Sequence, residues 1–224
     1  MPEETSIITA IRLATKNPNR ANIFLDGKYA FSLDLAQLAD AKLKIGQNLS
    51  LGKIEELRSA SEFGKLYQRT LEWVLTRPHS IRETKDYLIR KKFRRQLTDS
   101  PQISDADIES VVTRLVEKHY LDDRKFATYY VENRFLKKGI SSKKLRLELA
   151  KKGINKDIIE QALKSSSRSE AEEIRKIIAK KRAKYDNAKL IQYLIRQGFD
   201  FALSQSVLHE MDLQNSAQNP GSSL

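Results

Sequence analysis

The chain repeats one spacing of apolar and polar residues three times. In each copy, a residue that favours a helix N-cap is followed eight positions later by a leucine and five further on by another apolar residue. The three sets are Ser80, Leu88 and Phe93; Ser141, Leu149 and Ile154; and Asp186, Leu194 and Phe199. The copies are 61 and 45 residues apart. Self-similarity near 45 residues predicts a tandem helical array, in which each unit buries its apolar face against its neighbours.

This pattern divides the chain into five segments. We expect an N-terminal region over 1–61, three-helix units over 62–123, 124–164 and 165–212, and a disordered tail over 213–224. In the first unit a helix from residue 62 should end before Arg77-Pro78, because proline disfavours helical geometry in the residue before it. A second helix should begin at Ser80, and a third should cover 105–118 after an inserted loop at 94–102. In the other two units the predicted helices are 124–137, 142–152, 155–164, 170–182, 187–197 and 200–210.

The N-terminal region has the pattern of β-structure. Apolar runs separated by Asn17-Pro18-Asn19 and by Asp26-Gly27 predict a three-stranded meander over 6–33, since Asp-Gly favours a tight hairpin turn. Three short strands need a packing partner, for which we expect helices over 34–41 and from Ser50 to about Ser59. The predicted fold class is mainly α, with a small N-terminal β-meander or hairpin region.

Helix ends are marked by small polar residues and glycines. Gly139 and Gly153 stand where helices should stop, since glycine readily adopts the left-handed conformation of a helix C-terminus. The spacing of Ser80 to Glu83, and of Ser167 to Glu170, predicts capping boxes.

Charge is distributed unevenly along the chain. Residues 124–200 contain 21 Lys and Arg against 9 Asp and Glu, which accounts for the whole formal net charge of +12. Such a basic region predicts an acidic partner, such as nucleic acid, a nucleoprotein or an anionic protein. There is no cysteine, which fits a reducing cytoplasm. No secretory signal and no apolar run of roughly 20 residues is present, so we expect no membrane partner.

Few residues suggest catalysis. Adjacent carboxylates at Asp122 and Asp123 could hold a metal in a nuclease-like enzyme, but helix capping is the simpler interpretation. His79, His119 and His209 are far apart in sequence, and each is expected to be a surface or capping residue. No phosphate-binding glycine-rich loop is present. We therefore expect a binding protein without enzymatic activity, cofactor or metal.

The basic residues are the stronger functional candidates. Leu145 and Leu149 should face the core, which would leave Lys143, Lys144 and Lys151 outward. The alternative for these cations is that they only keep the helices soluble. For Tyr129 and Tyr130 the alternatives are stacking on bases and, as we favour for Tyr130, a place in the core. The candidate partner- or nucleic-acid-binding residues are Arg82, Arg90, Lys91, Arg134, Lys137, Lys138, Lys143, Lys144, Arg146, Lys151, Lys152, Lys181, Arg182, Lys189 and Arg196.

Several short motifs in this order resemble the RecX family, the bacterial modulators of the RecA recombinase. They are Arg77-Pro78-His79-Ser80, Leu121-Asp122-Asp123, Phe126-Ala127, Tyr130, Arg134, Gly139, Leu145, Glu148-Leu149 and Lys152-Gly153-Ile154. The resemblance covers about residues 62–210, and the hairpin around Asp26-Gly27 is similar to an N-terminal extension in one branch of the family. It implies a curved, elongated array of three-helix units.

The resemblance also implies a partner. A RecX-like protein would bind in the groove of a RecA filament on single-stranded DNA and limit ATP hydrolysis and strand exchange, thereby regulating DNA repair. DNA would be met directly or through the filament, and the chain is expected to be a monomer. The alternative is a general single-stranded nucleic-acid-binding protein that acts through its basic repeats.

Overall fold

The computed structural model describes residues 4–15, 17–98 and 101–218. The chain forms two compact units. The first comprises the chain up to Arg77 together with Thr84–Tyr120, and the second comprises Pro78–Glu83 together with the chain from Leu121 onward. The predicted mainly α fold with an N-terminal antiparallel β region is confirmed.

The first unit contains a four-stranded antiparallel sheet with the order β3-β2-β1-β4. The strands are β1 (Thr5–Ala14), β2 (Asn17–Leu25), β3 (Lys28–Asp34) and β4 (Asn48–Ser50). The predicted hairpin at Asp26-Gly27 is confirmed, with positive φ angles of 49° and 80°. The expected turn at Asn17-Pro18-Asn19 is wrong, because Asn17 already begins β2. The sequence pattern missed β4, whose three residues are too few to show alternation.

Four helices accompany the sheet: α1 (Leu35–Ala41), α2 (Leu51–Val74), α3 (Ile81–Gln96), whose first three residues belong to the second unit, and α4 (Asp105–Glu117). The core lies between α2 and the sheet, where Ile54 and Leu57 join Ile8, Ile23 and Leu33. The meander therefore has the packing partner that its length requires.

One predicted helix boundary in this unit is wrong. We expected a helix to end near Ser59 and another to begin at residue 62, whereas α2 is continuous through both positions. The small residues in this part of α2 allow close packing. The Ser61 hydroxyl donates to the Ser32 carbonyl at 2.6 Å, and a Cβ on Gly64 would lie 2.9 Å from the side chain of Gln37.

The first sequence repeat departs from the other two after Leu88. The predicted loop at 94–102 begins too early, since α3 continues to Gln96. Lys92 stands where the other copies have glycine, so the helix does not stop and Phe93 remains 60% exposed. Ile103, which precedes the N-cap Ser104, is buried instead and takes the place held elsewhere by Ile154 and Phe199.

The second unit contains six further helices within the described residues: α5 (Asp123–Asn133), α6 (Ser142–Lys151), α7 (Lys156–Ser165), α8 (Glu170–Lys181), α9 (Asn187–Arg196) and α10 (Phe201–Gln218). Two apolar clusters support them. Phe126 and Leu149 lie at the centre of the first, and Ile174, Ile178 and Leu194 lie at the centre of the second. The six predicted helices are all present.

Two helix ends in this unit differ from the prediction. Helix α5 ends at Asn133 instead of 137, because Arg134 has extended backbone angles of −67° and 119°. Helix α10 continues to Gln218 instead of ending at 210. The expected disordered tail over 213–224 is therefore wrong for 213–218, where neither glycine nor proline interrupts the helix, and its last residues, 219–224, lie outside the described part of the chain.

The predicted N-caps are mostly confirmed. Ser80, Ser141 and Asp186 each accept a hydrogen bond from the backbone amide three residues on, and Ser80 completes its capping box with Glu83. The box expected at Ser167 is wrong, because the N-cap of α8 is Ser169, whose side chain makes no capping hydrogen bond.

Gly153 follows the end of α6 as predicted, with a φ of 80°, and Gly198 follows the end of α9 in the same way, with a φ of 93°. Gly139 has a φ of 79°, but the prediction that it ends a helix is wrong, because α5 already ends at Asn133. Within the described residues, none of the helices is both long enough and apolar enough to cross a lipid bilayer.

Candidate partner-binding surface

One set of hydrogen bonds occurs twice in the second unit, where the start of one helix meets the end of another. The Ser80 hydroxyl donates to the carbonyl of Lys152 at 3.0 Å, and the Ser141 hydroxyl donates to the carbonyl of Gln197 at 2.6 Å. Each serine thus caps its own helix and also satisfies a carbonyl at the end of the next repeat's middle helix. We call these contacts the serine junctions.

A carboxylate completes each serine junction. Asp123 accepts from the Ile81 amide at 2.9 Å, and Glu170 accepts from the Ser142 amide at 2.6 Å. Within the second unit, residues 80 and 81 at the start of α3 are thereby held against α5 and the end of α6, and the first turn of α6 is held against α8 and the end of α9.

The acidic pair at the start of α5 has a structural role. Asp122 caps the helix by accepting from the amides of Arg124 and Lys125 at 2.8 and 3.2 Å, which confirms the capping interpretation for this residue. Asp123 serves the serine junction, and burial raises the pKa of its carboxyl. No group of three metal-ligating side chains occurs in the described ranges.

The three histidines occupy different environments. His79 is buried, with 4% exposure, so the expectation of a surface position is wrong. Its Nδ1 lies 3.6 Å from Glu83 Oε2, just ahead of the Ser80 cap. His119 is exposed and ends α4 with a positive φ of 59°, as a capping residue does. His209 is exposed on α10.

Five of the candidate cations form ion pairs within the chain. The pairs are Arg134 with Glu148, Arg146 with Glu160, Lys152 with Glu83, Arg182 with Asp212, and Lys189 with Asp186. Sequence reasoning could not distinguish these residues from free surface cations, because four of the five partners are at least 14 positions away in sequence.

Arg134 shows how strongly such a residue can be engaged. Its Nε lies 2.7 Å from Glu148 Oε2, which also accepts from the Tyr130 hydroxyl at 2.5 Å. Burial and this bond together raise the pKa of Tyr130 well above its ordinary value. Tyr130 packs against the cluster around Phe126, as predicted. Arg134 is therefore held by Glu148 at the end of α5, with its side chain 37% exposed.

Three more candidates are half-buried. Lys91 lies over the ring of Tyr87 at 4.7 Å, and Lys181 lies 5.4 Å from the ring centroid of Tyr193. Lys144 donates to Gln197 Oε1 at 3.0 Å, so it does not point freely outward as expected.

The remaining seven candidates are exposed and, within the described residues, have no carboxylate partner. They are Arg82, Arg90, Lys137, Lys138, Lys143, Lys151 and Arg196. The outward position predicted for Lys143 and Lys151 is confirmed. All seven except Arg90 belong to the second unit.

The glycines at the serine junctions bring some of these cations together. A Cβ on Gly153 would lie 2.9 Å from Cβ and Cδ of Arg82, and a Cβ on Gly198 would lie 3.3 Å from Cβ of Lys143. Each basic side chain therefore lies over the end of the next repeat's middle helix, close in sequence to Lys151 or Arg196. We call these four residues, Arg82, Lys151, Lys143 and Arg196, the basic row.

Sequence reasoning missed a buried ion pair that supports this region. Arg168 and Glu173 are 2.8 Å apart, with side chains only 8% and 4% exposed. Arg168 also donates to the carbonyls of Val131 and Arg134 at 2.6 and 2.7 Å. The sequence did contain one signal of a buried charge. Glu173 directly precedes Ile174 and falls on the face of α8 that is buried.

Comparison with known proteins agrees with this architecture. Residues 6–50 match the regulatory protein RecX N-terminal domain, and residues 122–163 match the RecX second three-helix domain. Proteins named Regulatory protein RecX from Bacillus licheniformis and Bacillus subtilis are 33% and 34% identical over 216 and 217 residues. Each alignment covers 93% of this chain and 78% of the relative.

A solved structure extends the similarity to the fold. A crystal structure of regulatory protein RecX matches with a TM-score of 0.69 and 25% identity, over 91% of this chain and 99% of that one. Since one third of the residues are identical to these relatives over most of both chains, this chain belongs to the RecX family of regulatory proteins.

Proposed function

We propose that this protein regulates the RecA recombinase by binding in the groove of RecA filaments on single-stranded DNA. There it inhibits ATP hydrolysis and strand exchange and so regulates DNA repair. The observation that carries the proposal is the basic row, a set of exposed cations without carboxylate partners, in a chain whose relatives are named regulatory proteins.

The electrostatics of the second unit support a polyanionic partner. Uncompensated cations on one surface raise the local potential and accelerate encounter with a negatively charged assembly. The serine junctions fix the backbone positions of successive basic residues. A partner with a repeating surface can therefore bind these residues at a smaller cost in conformational entropy.

In this role the chain itself catalyses no reaction. The carboxylates of Asp122 and Asp123 accept hydrogen bonds from backbone amides at the starts of α5 and α3. In the proposed role the protein acts as a cytoplasmic monomer without a cofactor, and its effect comes from occupancy of the filament.

The direct test measures RecA ATP hydrolysis on single-stranded DNA with increasing amounts of the full-length protein. The wild type should slow hydrolysis at substoichiometric or near-stoichiometric amounts. No effect on hydrolysis or on filament length in electron micrographs would refute the proposal. Equal affinity for naked DNA and for the filament would favour the alternative of a general single-stranded nucleic-acid-binding protein.

A charge reversal tests the basic row. Lys143→Glu with Lys151→Glu should weaken filament binding by about tenfold or more, because repulsive charges at an interface cost several kcal/mol. The control is Lys28→Glu with Lys44→Glu, which changes net charge equally at exposed positions of the first unit. Inhibition that survives the first pair unchanged would show that another surface docks.

A further inference from the structure

A cavity in the second unit has the composition of an anion site. It has a volume of about 350 Å³ and lies where the segment after α5 meets α6, α8 and α9. Its lining residues are Phe135, Lys138, Gly139, Lys144, Ile177, Lys180, Lys181, Tyr193 and Gln197. Four of these nine are lysines and none is acidic. The volume is at the lower end of the range for small-molecule sites, about 300–1,000 Å³.

Two of the lysines donate to uncharged groups, and Lys144 also lies near enough to Glu148 to help lower the pKa of that carboxyl. Lys180 Nζ donates to the carbonyl of Lys137 at 2.7 Å, and Lys144 Nζ donates to Gln197 Oε1 at 3.0 Å. Both partners are uncharged. Among the described residues, none of the four lysines has a carboxylate within ion-pair distance. Since like charges repel, such a cluster favours a bound anion.

The apolar part of the lining indicates the type of anion. Phe135, Tyr193 and Ile177 line the same cavity as the four lysines. Lys181 Nζ lies 5.4 Å from the Tyr193 ring centroid, and Lys138 Nζ lies 5.8 Å from that of Phe135. Aromatic side chains next to cations are typical of sites that bind single-stranded nucleic acids, where bases stack on the rings and the backbone follows the charges.

We propose that this cavity takes one nucleotide of single-stranded DNA, with its base against Phe135 or Tyr193 and its flanking phosphates among Lys138, Lys144, Lys180 and Lys181. The choice of DNA as the anion rests on the proposed function, in which a filament presents a single strand. The binding itself requires no recombinase.

The first experiment measures fluorescence anisotropy of a labelled oligothymidylate with the full-length protein. Lys138→Glu with Lys181→Glu should weaken binding at least tenfold and lower the slope of log affinity against log salt by about 1.4, because each phosphate contact contributes about 0.7. Tyr193→Leu should weaken binding about tenfold through lost stacking.

A matched control separates the cavity from general charge. Lys125→Glu with Lys164→Glu alters net charge equally at exposed positions of α5 and α7 that do not line the cavity. An equal loss with this pair would overturn the proposal. So would stronger displacement of the oligonucleotide by free thymidine triphosphate, or by a polyglutamate peptide, than by unlabelled oligothymidylate at the same concentration of charge.

A second measurement uses the wild type and so does not depend on variant folding. An oligonucleotide containing 5-iododeoxyuridine is photocrosslinked to the protein, and the attached peptide is identified by mass spectrometry. Attachment at Phe135 or Tyr193 is expected, and attachment only outside the cavity would overturn the proposal.

The two proposals fail separately. Crosslinking at the cavity without slowing of RecA ATP hydrolysis would support the DNA site and refute the proposed regulation of RecA. Inhibition of RecA with no crosslink at the cavity would do the reverse.

Discussion

The buried ion pair between Arg168 and Glu173 gives a quantitative test of what holds the second unit together. Glu173 is 3% exposed and accepts from Arg168 at 2.8 Å, from Lys176 at 2.6 Å and from the Ile140 amide at 3.0 Å. Burial alone raises the pKa of this carboxyl, but these three donors outweigh it and hold the pKa below its ordinary value. The side chain therefore belongs in the core only as a carboxylate.

Glu173→Gln preserves the volume and removes the charge. Arg168 then stays buried without a counterion, and the amide can accept at only one of its two terminal atoms. Breaking a buried pair by removing one partner costs about 3–5 kcal/mol. Since glutamine keeps one acceptor, we expect the free energy of unfolding to fall by about 3 kcal/mol. Glu172→Gln, at an exposed neighbouring position, should change it by less than about 0.5 kcal/mol.

The assay is urea unfolding followed by far-ultraviolet circular dichroism. A double-mutant cycle with Arg168→Met should give a coupling energy of at least about 2 kcal/mol, because Glu173→Gln leaves the buried Arg168 without its counterion and Arg168→Met removes that unpaired charge. Additive effects of the two substitutions, or a loss below about 1 kcal/mol for Glu173→Gln, would refute the reasoning that the pair is mutually dependent.

Three further predictions follow from named contacts. Gly139→Ala should destabilise the protein by about 3 kcal/mol or more, because the new Cβ would lie 2.5 Å from the Glu173 carbonyl oxygen. Gly27→Ala, with a similar φ and open space around it, should cost only about 1–2 kcal/mol. Thermal unfolding of both variants measures the difference. Ser141→Ala should lower the free energy of unfolding by about 2 kcal/mol, since it removes a helix cap and a hydrogen bond to Gln197. Asp186→Ala removes only an exposed cap and should cost about 1 kcal/mol. Equal losses in the two variants would contradict a stabilising role for the serine junction. The pKa of Glu173 is lower in the folded state than in the unfolded state. The stability that it contributes is therefore complete above the unfolded pKa of about 4.3 and is lost as pH falls through the folded pKa. In urea titrations at different pH, Glu173→Gln should make stability depend less on pH on the acid side.

Local signals account for the part of the fold that the sequence predicted. Leu88, Leu149 and Leu194 are all fully buried, because apolar spacing fixes the helix face wherever the chain is helical. Phe93 is not a core residue for a reason that is also local, because Lys92 replaces the glycine that follows the helix in the other two copies. A better signal was available at Ser104 and Asp107, whose capping box marks the next helix start and places Ile103 beside it.

The candidate surface was less predictable because tertiary pairing decides which cations remain exposed. Lys152 and Lys151 are adjacent in sequence, yet only Lys152 reaches Glu83, 69 positions away. Nothing in the local pattern separates them. The cavity has the same origin, since its lysines come from three segments that meet only in the folded unit.

The serine junctions also bear on whether a further copy of the chain could add to the end of the array. At Ser80 and Ser141 the hydroxyl is both acceptor and donor, so it can cap its own helix and hold an incoming carbonyl. The residue in register at the start of α9 is Asp186, whose pKa is lowered, chiefly by the Lys189 amide. An ionised carboxylate has no proton to donate and repels a carbonyl oxygen. Head-to-tail addition of another copy, which would generate an open-ended fibre, is therefore disfavoured at this end by the chemistry of a single side chain.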